Sequence, residues 1–216
     1  MVINKNIAYQ TALNLLQINA IKLNPKNPFI WTSGWKSPIY CDNRIILSHP
    51  KIRNFLSQTL AEKIKKDFKG LYIIAGVATG AIGIGMLVAQ KLDLPFIYVR
   101  PQPKNHGQKN QIEGQLIKGE RVLVIEDLIS TGKSSLNAVK ALKENGAEIL
   151  GMMALFTYGF SIAEKAFDKA GVQLQTLCDY QNLISTALEK GEISELQSEN
   201  LKNWRKNPEI WSPKVH

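Results

Sequence analysis

The chain has 216 residues, of which 44% are hydrophobic and 21% are charged, proportions typical of a globular protein with one substantial domain. No apolar stretch approaches the ~20 residues that a membrane-spanning helix needs, and polar residues interrupt the N-terminal segment where a secretory signal would be apolar. Cys41 and Cys178 have neither CxxC nor metal-like spacing, which favours inert buried thiols over a bridge. We therefore expect a cytoplasmic protein with no membrane partner.

The formal net charge of +9 is compatible with an anionic partner but does not identify one. The lysines are scattered, and their densest group is "EKIKKDFK" at residues 62–69. The spacing of its lysines indicates the solvated face of an amphipathic helix rather than a nucleic-acid-binding patch.

The first third of the chain divides into a helix, a region of short elements and a second helix. Apolar periodicity predicts a helix within residues 4–19. Prolines and a glycine interrupt residues 21–44, which excludes a long helix there and favours short strands joined by turns. Pro50 is well placed at the first position of a helix that runs to about Phe68.

From residue 71 onward, apolar runs alternate with helical segments. The predicted strands are 71–75, 95–100, 121–126, 148–156 and 172–177. The predicted helices are 81–92, 134–145 and 161–170, and the second of them ends at Asn145-Gly146, a favourable helix C-terminus. This alternation predicts an α/β fold with a mainly parallel sheet of about five strands covered by helices on both faces. Residues 1–216 would form a single domain, with residues 20–45 as a small appended piece.

One segment, "VLVIEDLISTGKSS" at residues 122–135, carries the main chemical signal. It ends like a Walker A phosphate loop, but Asp127, preceded by Glu126, stands where the first glycine belongs. Two carboxylates repel phosphate but accept hydrogen bonds from paired hydroxyls, such as those of a ribose. The start of the next helix favours one phosphate, which could be held by Thr131, Gly132, Lys133 and Ser134. An ordinary N-capped helix start and a degenerate Walker A loop are the alternatives.

This segment resembles the phosphoribosyl-diphosphate (PRPP) motif of the type I phosphoribosyltransferase family, with Gly132-Lys133 where two glycines are common. In chain order, "SGWKSPIYCDNR", "YVRPQPKNHGQKNQIEG" and "ALFTYGF" are similar to the orotate-specific members of that family. The resemblance implies the type I phosphoribosyltransferase fold with residues 20–45 as an N-terminal hood. It also implies transfer of the phosphoribosyl group of PRPP to orotate, which gives orotidine 5′-monophosphate and pyrophosphate in pyrimidine biosynthesis. Mg²⁺ would be held mainly through PRPP, with no direct protein ligand, and the protein would be a homodimer.

The resemblance also implies roles for individual residues. PRPP would contact Glu126, Asp127, Leu128, Ile129, Ser130, Thr131, Gly132, Lys133 and Ser134, and Ser130 would also contact orotate. A flexible loop at residues 100–114 would bring Arg100, Lys104 and His106 to the PRPP of the neighbouring subunit. Lys104, His106 and Asp127 are therefore the catalytic candidates. Judged on composition alone, the same loop reads as a solvated surface connection.

Three further positions are candidate contacts. The turn "GVATG" at residues 76–80, which includes Thr79, aligns with the family's pyrophosphate loop, although a plain strand-to-helix turn would look the same. Lys36 and Tyr40 in the hood are candidates for the wall of the base site, or else a surface lysine and a packed aromatic ring.

The sequence also departs from parts of the family at three positions. Some members carry PRPP-binding lysines where Thr32 and Pro101 stand here, and some carry an orotate-binding arginine near Tyr158. Those roles are not carried over, and the group that binds the orotate carboxylate is left open.

The C-terminal "LKNWRKNPEIWSPKVH" mixes basic and aromatic residues, a pattern that can bind single strands but is more typical of an amphipathic helix docked on the sheet. Two other functions fit the PRPP motif: a phosphoribosyltransferase for a purine base, and a PRPP-sensing transcription regulator. The regulator needs a DNA-binding helical element, which the breakers between Pro25 and Pro38 disfavour. We therefore expect no nucleic-acid partner.

Overall fold

The computed structural model describes residues 2–31, 34–102 and 111–211. The helices of this part of the chain are α1 (Lys5–Gln17), α2 (Pro50–Asp67), α3 (Gly80–Leu92), α4 (Lys133–Glu144), α5 (Ser161–Ala170), α6 (Tyr180–Glu189) and α7 (Glu195–Lys206). The strands are β1 (Ile21–Leu23), β2 (Phe29–Ile30), β3 (Lys36–Ser37), β4 (Ile39–Cys41), β5 (Ile73–Val77), β6 (Phe96–Val99), β7 (Ile112–Glu113), β8 (Arg121–Ile129), β9 (Glu148–Thr157) and β10 (Leu174–Asp179). A 3₁₀ helix spans Asn43–Ser48.

The main sheet has six strands in the order β10-β9-β8-β5-β6-β7. Five of these strands are parallel, and β7 pairs antiparallel with β6 at one edge. The prediction of a mainly parallel sheet of about five strands is confirmed. β7 was missed because it is only two residues long and lies in a polar segment that has no strand-like alternation.

Helices cover both faces of the sheet, as predicted. Successive side chains of a strand point to opposite faces, and β8 places large apolar residues on each. Leu123 and Ile125 are buried in one core with residues of α1, α2, α3 and α6. Val122 and Val124 are buried in a second core with residues of α4 and α5.

The strand β8 continues three residues beyond its predicted end. Pairing with β9 persists through Leu128 and Ile129, which lie opposite Phe156 and Thr157. The two acids of the 122–135 segment are therefore strand residues, and the turn into α4 is confined to three residues. The predicted end of α4 is confirmed, since Asn145 is its C-cap and Gly146 has a φ of 86°.

The hood consists of short strands, as the breaker residues predicted. β1 pairs antiparallel with β4, and β2 pairs antiparallel with β3. The 3₁₀ helix then leads to α2, which begins at Pro50 as expected.

The C-terminal segment forms the amphipathic helix α7, as predicted. It packs on α6 and on a cluster of aromatic rings at the end of β9, and its buried residues Leu201 and Trp204 join the core on one side of the sheet. Trp204, fully buried, lies at the centre of this cluster. Its ring centroid is 5.5 Å from that of Trp31 in the hood and 5.9 Å from that of Tyr158. Its indole N–H donates to the Lys36 carbonyl at 3.1 Å, so α7 fastens the hood to the body of the protein.

None of the described helices combines the length and apolarity needed to cross a bilayer. Both cysteines carry free thiols, with Cys178 buried and Cys41 half-buried. Burial raises the pKa of the Cys41 thiol well above its ordinary value, in line with the inert thiols that the sequence predicted.

Replacing Trp204 with alanine should lower the free energy of unfolding by ~3–5 kcal/mol, because a large cavity forms and the bond to Lys36 is lost. Trp204→Phe should cost less, since it retains most of the ring volume. Urea unfolding of both variants measures the effect, with Leu196→Ala as the control on the same helix. Leu196 is 65% exposed, and a loss from that control as large as the loss from Trp204→Ala would contradict the central role of Trp204.

Candidate active site

The two acids at the end of β8 face different surroundings. Glu126 is only 4% exposed, and both of its carboxylate oxygens are occupied. Oε1 accepts the Asp127 backbone N–H at 3.0 Å, and Oε2 accepts the Ser135 hydroxyl at 2.8 Å. Burial, followed by the nearby charge of Asp127, raises the pKa of Glu126 well above its ordinary 4.5. Glu126 is thus committed to internal bonds in this structure.

Asp127 is less buried and lines an open cavity together with Glu126. Its backbone carbonyl accepts the Asn43 side-chain amide at 2.7 Å, which ties the end of the hood to β8. The cavity, of about 270 Å³, is called here the acidic cavity. Its lining is Val77, Ala78, Thr79, Gly80, Glu126, Asp127, Leu128, Ser130, Thr131, Gly132 and Ser134.

The turn from β8 into α4 forms one wall of the acidic cavity. Gly132 has a φ of 79°, a conformation that glycine adopts readily, and it precedes α4 as the N-cap without a side-chain capping bond. The first backbone N–H groups of α4 therefore face a site that favours an anion. Lys133 is exposed and does not line the cavity, while Ser134 does.

A second turn lies beside the Asp127 carboxylate in the lining of the acidic cavity. The peptide bond between Ala78 and Thr79 is cis, and α3 begins immediately afterwards at Gly80. Thr79 is its N-cap and makes no side-chain capping bond. Two helix N-termini, those of α3 and α4, therefore open into one cavity that also holds Asp127. Such an arrangement can bind two anionic groups on either side of a hydroxyl-bearing one.

A larger cavity of about 450 Å³, called here the aromatic cavity, adjoins the acidic one. Its lining is Ile30, Trp31, Trp35, Tyr40, Cys41, Leu128, Ser130, Thr131 and Tyr158. Leu128, Ser130 and Thr131 line both cavities, so the two are contiguous. Flat aromatic walls with a few hydroxyl groups suit a planar heterocycle.

The remaining predicted site residues occupy varied positions. Tyr40 lines the aromatic cavity, but the exposed side chain of Lys36 does not. The Ile129 side chain is fully buried in the core beneath the site. Arg100 pairs with Glu113 at 3.3 Å and is absent from the lining of both cavities among the residues the structure describes. Lys104 and His106 lie outside the described residues.

Sequence reasoning missed two residues that hold the site together. Asn43 was quoted only as part of a motif, although its amide bonds to the Asp127 carbonyl. Ser135 was passed over in favour of Ser134, although its buried hydroxyl anchors Glu126. The helical period offered one signal, because Ser135 falls on the inward face of α4 with Ala138, Val139 and Leu142.

The fold and these two contiguous cavities define a protein of the phosphoribosyl-transferring class. Residues 43–182 match the family model described as the phosphoribosyl transferase domain. That match covers β5 to β10 and the turns around the acidic cavity, and it confirms the expected fold.

Full-length relatives narrow the class further. The chain is 53% identical over 207 residues to an orotate phosphoribosyltransferase of Porphyromonas gingivalis, with 96% of this chain and 99% of the relative covered. It is 50% identical over 206 residues to one from Cytophaga hutchinsonii, with 95% and 99% covered. A crystal structure of the Aeropyrum pernix orotate phosphoribosyltransferase superposes with a TM-score of 0.73 at 28% identity, covering 85% of this chain and 99% of that one. The chain belongs to the orotate phosphoribosyltransferase family, as its motifs indicated.

The raised pKa of Glu126 should make stability depend on pH. Between 4.5 and the higher pKa of the folded state, the native protein keeps a proton that the unfolded chain releases, so the free energy of unfolding falls as pH rises. Glu126→Gln cannot titrate. Its free energy of unfolding relative to wild type should therefore increase with pH across this window and then level off.

Urea titrations at several pH values from 4.5 to 9 would measure that difference. Asp168→Asn, at an exposed position of α5, serves as the control and should show no such rise. A constant difference between Glu126→Gln and wild type at every pH would mean that Glu126 ionises normally in the folded protein.

Proposed function

We propose that this chain transfers the phosphoribosyl group of PRPP to orotate, giving orotidine 5′-monophosphate and pyrophosphate in pyrimidine biosynthesis. Relatives that are at least 50% identical to it over nearly their whole length are named orotate phosphoribosyltransferase. One observation carries the proposal: a cavity suited to a sugar phosphate adjoins a cavity suited to a planar base. The two cavities share Leu128, Ser130 and Thr131.

PRPP has three parts that match three features of the acidic cavity. The 5′-phosphate would bind the N-terminus of α4, with hydroxyls from Thr131 and Ser134. The ribose hydroxyls would donate to Asp127, and the pyrophosphate would bind at Thr79 and the N-terminus of α3. Glu126 would act through Asp127, whose backbone it holds, because its own oxygens are already bonded.

The reaction exchanges one bond at the ribose C1 carbon. The bond to the pyrophosphate oxygen breaks as the bond to the ring nitrogen of orotate forms, through a transition state with oxocarbenium character. The proton of that ring nitrogen is released to the departing pyrophosphate or to water. Negative charge grows on the pyrophosphate, and the nearby Asp127 carboxylate favours the positive ribose. The proposed work of Arg100, Lys104 and His106 is to stabilise the pyrophosphate. The predicted loop of residues 100–114 is shortened by β7, which occupies Ile112–Glu113. Its residues before β7, which include these three, would serve the site of a partner subunit in a homodimer.

Magnesium fits this site as a companion of PRPP. The described residues contain no group of three or more histidine, cysteine, aspartate or glutamate side chains placed to hold a metal. Asp127 is the less buried of the two carboxylates on the wall, so PRPP oxygens would supply most of the ligands. When bound, Mg²⁺ would offset charge on the pyrophosphate. We also propose a cytoplasmic location, consistent with the two free thiols.

The function is tested by the loss of orotate absorbance with PRPP and Mg²⁺. Wild type should consume orotate, and removal of Mg²⁺ with EDTA should abolish the rate. Asp127→Asn should lower kcat/KM by about tenfold to hundredfold, because one charge-assisted hydrogen bond is lost. Lys104→Ala should lower kcat by about hundredfold if it neutralises the leaving group.

Exposed residues of α5 provide matched controls, Asp168→Asn for the acid and Lys165→Ala for the lysine. Wild-type protein that binds PRPP yet leaves orotate untouched would overturn the function, and purine bases would be tried next. Equal rates for Lys104→Ala and wild type would remove Lys104 from the mechanism while leaving the function intact.

Two glycines of α3 offer a sharper test of Asp127. A Cβ atom at Gly80 would collide with the Asp127 carboxylate, whereas one at Gly83 would meet only the flexible tip of Leu47, at 2.6 Å. Gly80→Ala should therefore raise the dissociation constant for PRPP by about tenfold, and Gly83→Ala should leave it unchanged. Calorimetric titration measures both. Similar PRPP affinities for the two variants would mean that the position of Asp127 is not critical.

A further inference from the structure

The aromatic cavity lacks a partner for the charge of its proposed ligand. Orotate carries a carboxylate on its ring, and a carboxylate taken out of water needs a cation or several donors. Among the described residues that line this cavity, none is positively charged. If orotate is the substrate, as proposed above, a cation just beyond the wall of the aromatic cavity is the natural candidate to bind its carboxylate.

Arg205, on the last turn of α7, lies directly behind that wall. Its Nε donates to the Tyr158 carbonyl at 3.0 Å, and its Nη2 donates to the Gly159 carbonyl at 2.6 Å. The Tyr158 ring lines the aromatic cavity. The guanidinium is therefore fixed at the end of β9, next to the residue that forms the cavity wall.

A third cavity, which shares two lining residues with the aromatic cavity, is lined by Arg205. This C-terminal cavity, of about 280 Å³, is lined by Arg205 together with Trp35 and Thr131, both of which also line the aromatic cavity. It also contains Phe160 and Ser161 at the start of α5, a helix without a side-chain N-cap bond. The dipole at that helix start favours an anion in the C-terminal cavity, although Glu164 in the same turn opposes it.

The position of the guanidinium is built into the backbone. Gly159 has a φ of 63°, and a Cβ atom there would stand 3.0 Å from Arg205 Nη2, so glycine leaves room for the side chain. Trp204, the neighbouring residue, anchors this turn of α7 in the aromatic cluster. Ordering of the arginine in advance lowers the entropic cost of using it to bind a ligand.

Arg205 also has spare capacity for an anion. A guanidinium has five N–H donors, and the two carbonyls use two of them. No carboxylate of the described residues forms an ion pair with it. Lys206 and Glu209 line the same C-terminal cavity, and both are exposed. Among the described residues, the positive charge of Arg205 is therefore not committed to an ion pair.

We propose that Arg205 binds the carboxylate of orotate and so determines specificity for a carboxylated pyrimidine. The C-terminal helix then serves as a wall of the base site as well as a fastening for the hood. A ligand with the same ring but no carboxylate would gain nothing from Arg205.

Binding of two nucleotides that differ only in this group tests the proposal without relying on catalysis. Dissociation constants for orotidine 5′-monophosphate and uridine 5′-monophosphate are measured by calorimetry for wild type, Arg205→Gln, Arg205→Lys and the control Lys202→Gln. Lys202 is an exposed cation one turn earlier on α7. Arg205→Gln should raise the dissociation constant of orotidine 5′-monophosphate by about tenfold to hundredfold and leave that of uridine 5′-monophosphate unchanged. Arg205→Lys, which keeps the charge, should give an intermediate loss, and Lys202→Gln none.

An equal rise of both dissociation constants in Arg205→Gln would assign Arg205 a structural role and overturn the proposal. No change in either constant would also overturn it. If Arg205→Gln does not fold, Arg205→Lys decides, because it too must affect the carboxylated nucleotide selectively. Failure of the proposed function is recognised separately, since wild type would then consume no orotate in the presence of PRPP.

Discussion

The pairing of β8 with β9 through to their last residues is the constraint on which the site depends. Ile129 lies opposite Thr157, and the Tyr158 N–H donates to the Ile129 carbonyl at 3.0 Å. Because the strands keep one register from Leu123 to this point, the turn after β8 and the segment after β9 leave the sheet side by side. One supplies Ser130 and Thr131, and the other supplies Tyr158. Both cavities therefore depend on a single strand pair.

The adjacent acids at the end of this strand have different roles. Both line the acidic cavity, but Glu126 is buried with its oxygens bonded within the protein, whereas Asp127 is partly exposed. A buried carboxylate needs donors, and Glu126 obtains them from Ser135 and from the backbone of Asp127. The first turn of α4 and the backbone of Asp127 are thereby held by one buried group. Rigid positioning of this kind matters where a ligand must contact a phosphate site and a hydroxyl site together.

The sequence predicted most of the sheet because its strands are continuous apolar runs separated by helical periods. Its motif also identified Asp127 and the turn before α4, whose chemistry is local. Asn43 and Ser135 escaped because their partners, Asp127 and Glu126, are 84 and 9 residues away. β7 was not predicted because a strand of two residues is too short to show a periodic pattern. Such contacts are set by tertiary packing, which composition and spacing describe only indirectly.

The surroundings of the C-terminal helix could not be predicted from its sequence pattern. Alternation of basic and aromatic residues is compatible both with a surface that binds single-stranded nucleic acid and with a helix that has one buried face. Only the fold reveals that Trp204 is enclosed by rings from the hood and from β9, which leaves Arg205 on the adjacent side against the carbonyls of Tyr158 and Gly159. The base site is consequently bounded by segments more than 150 residues apart, from Trp35 to Arg205. Its selectivity therefore depends on the docking of α7 as well as on the PRPP motif.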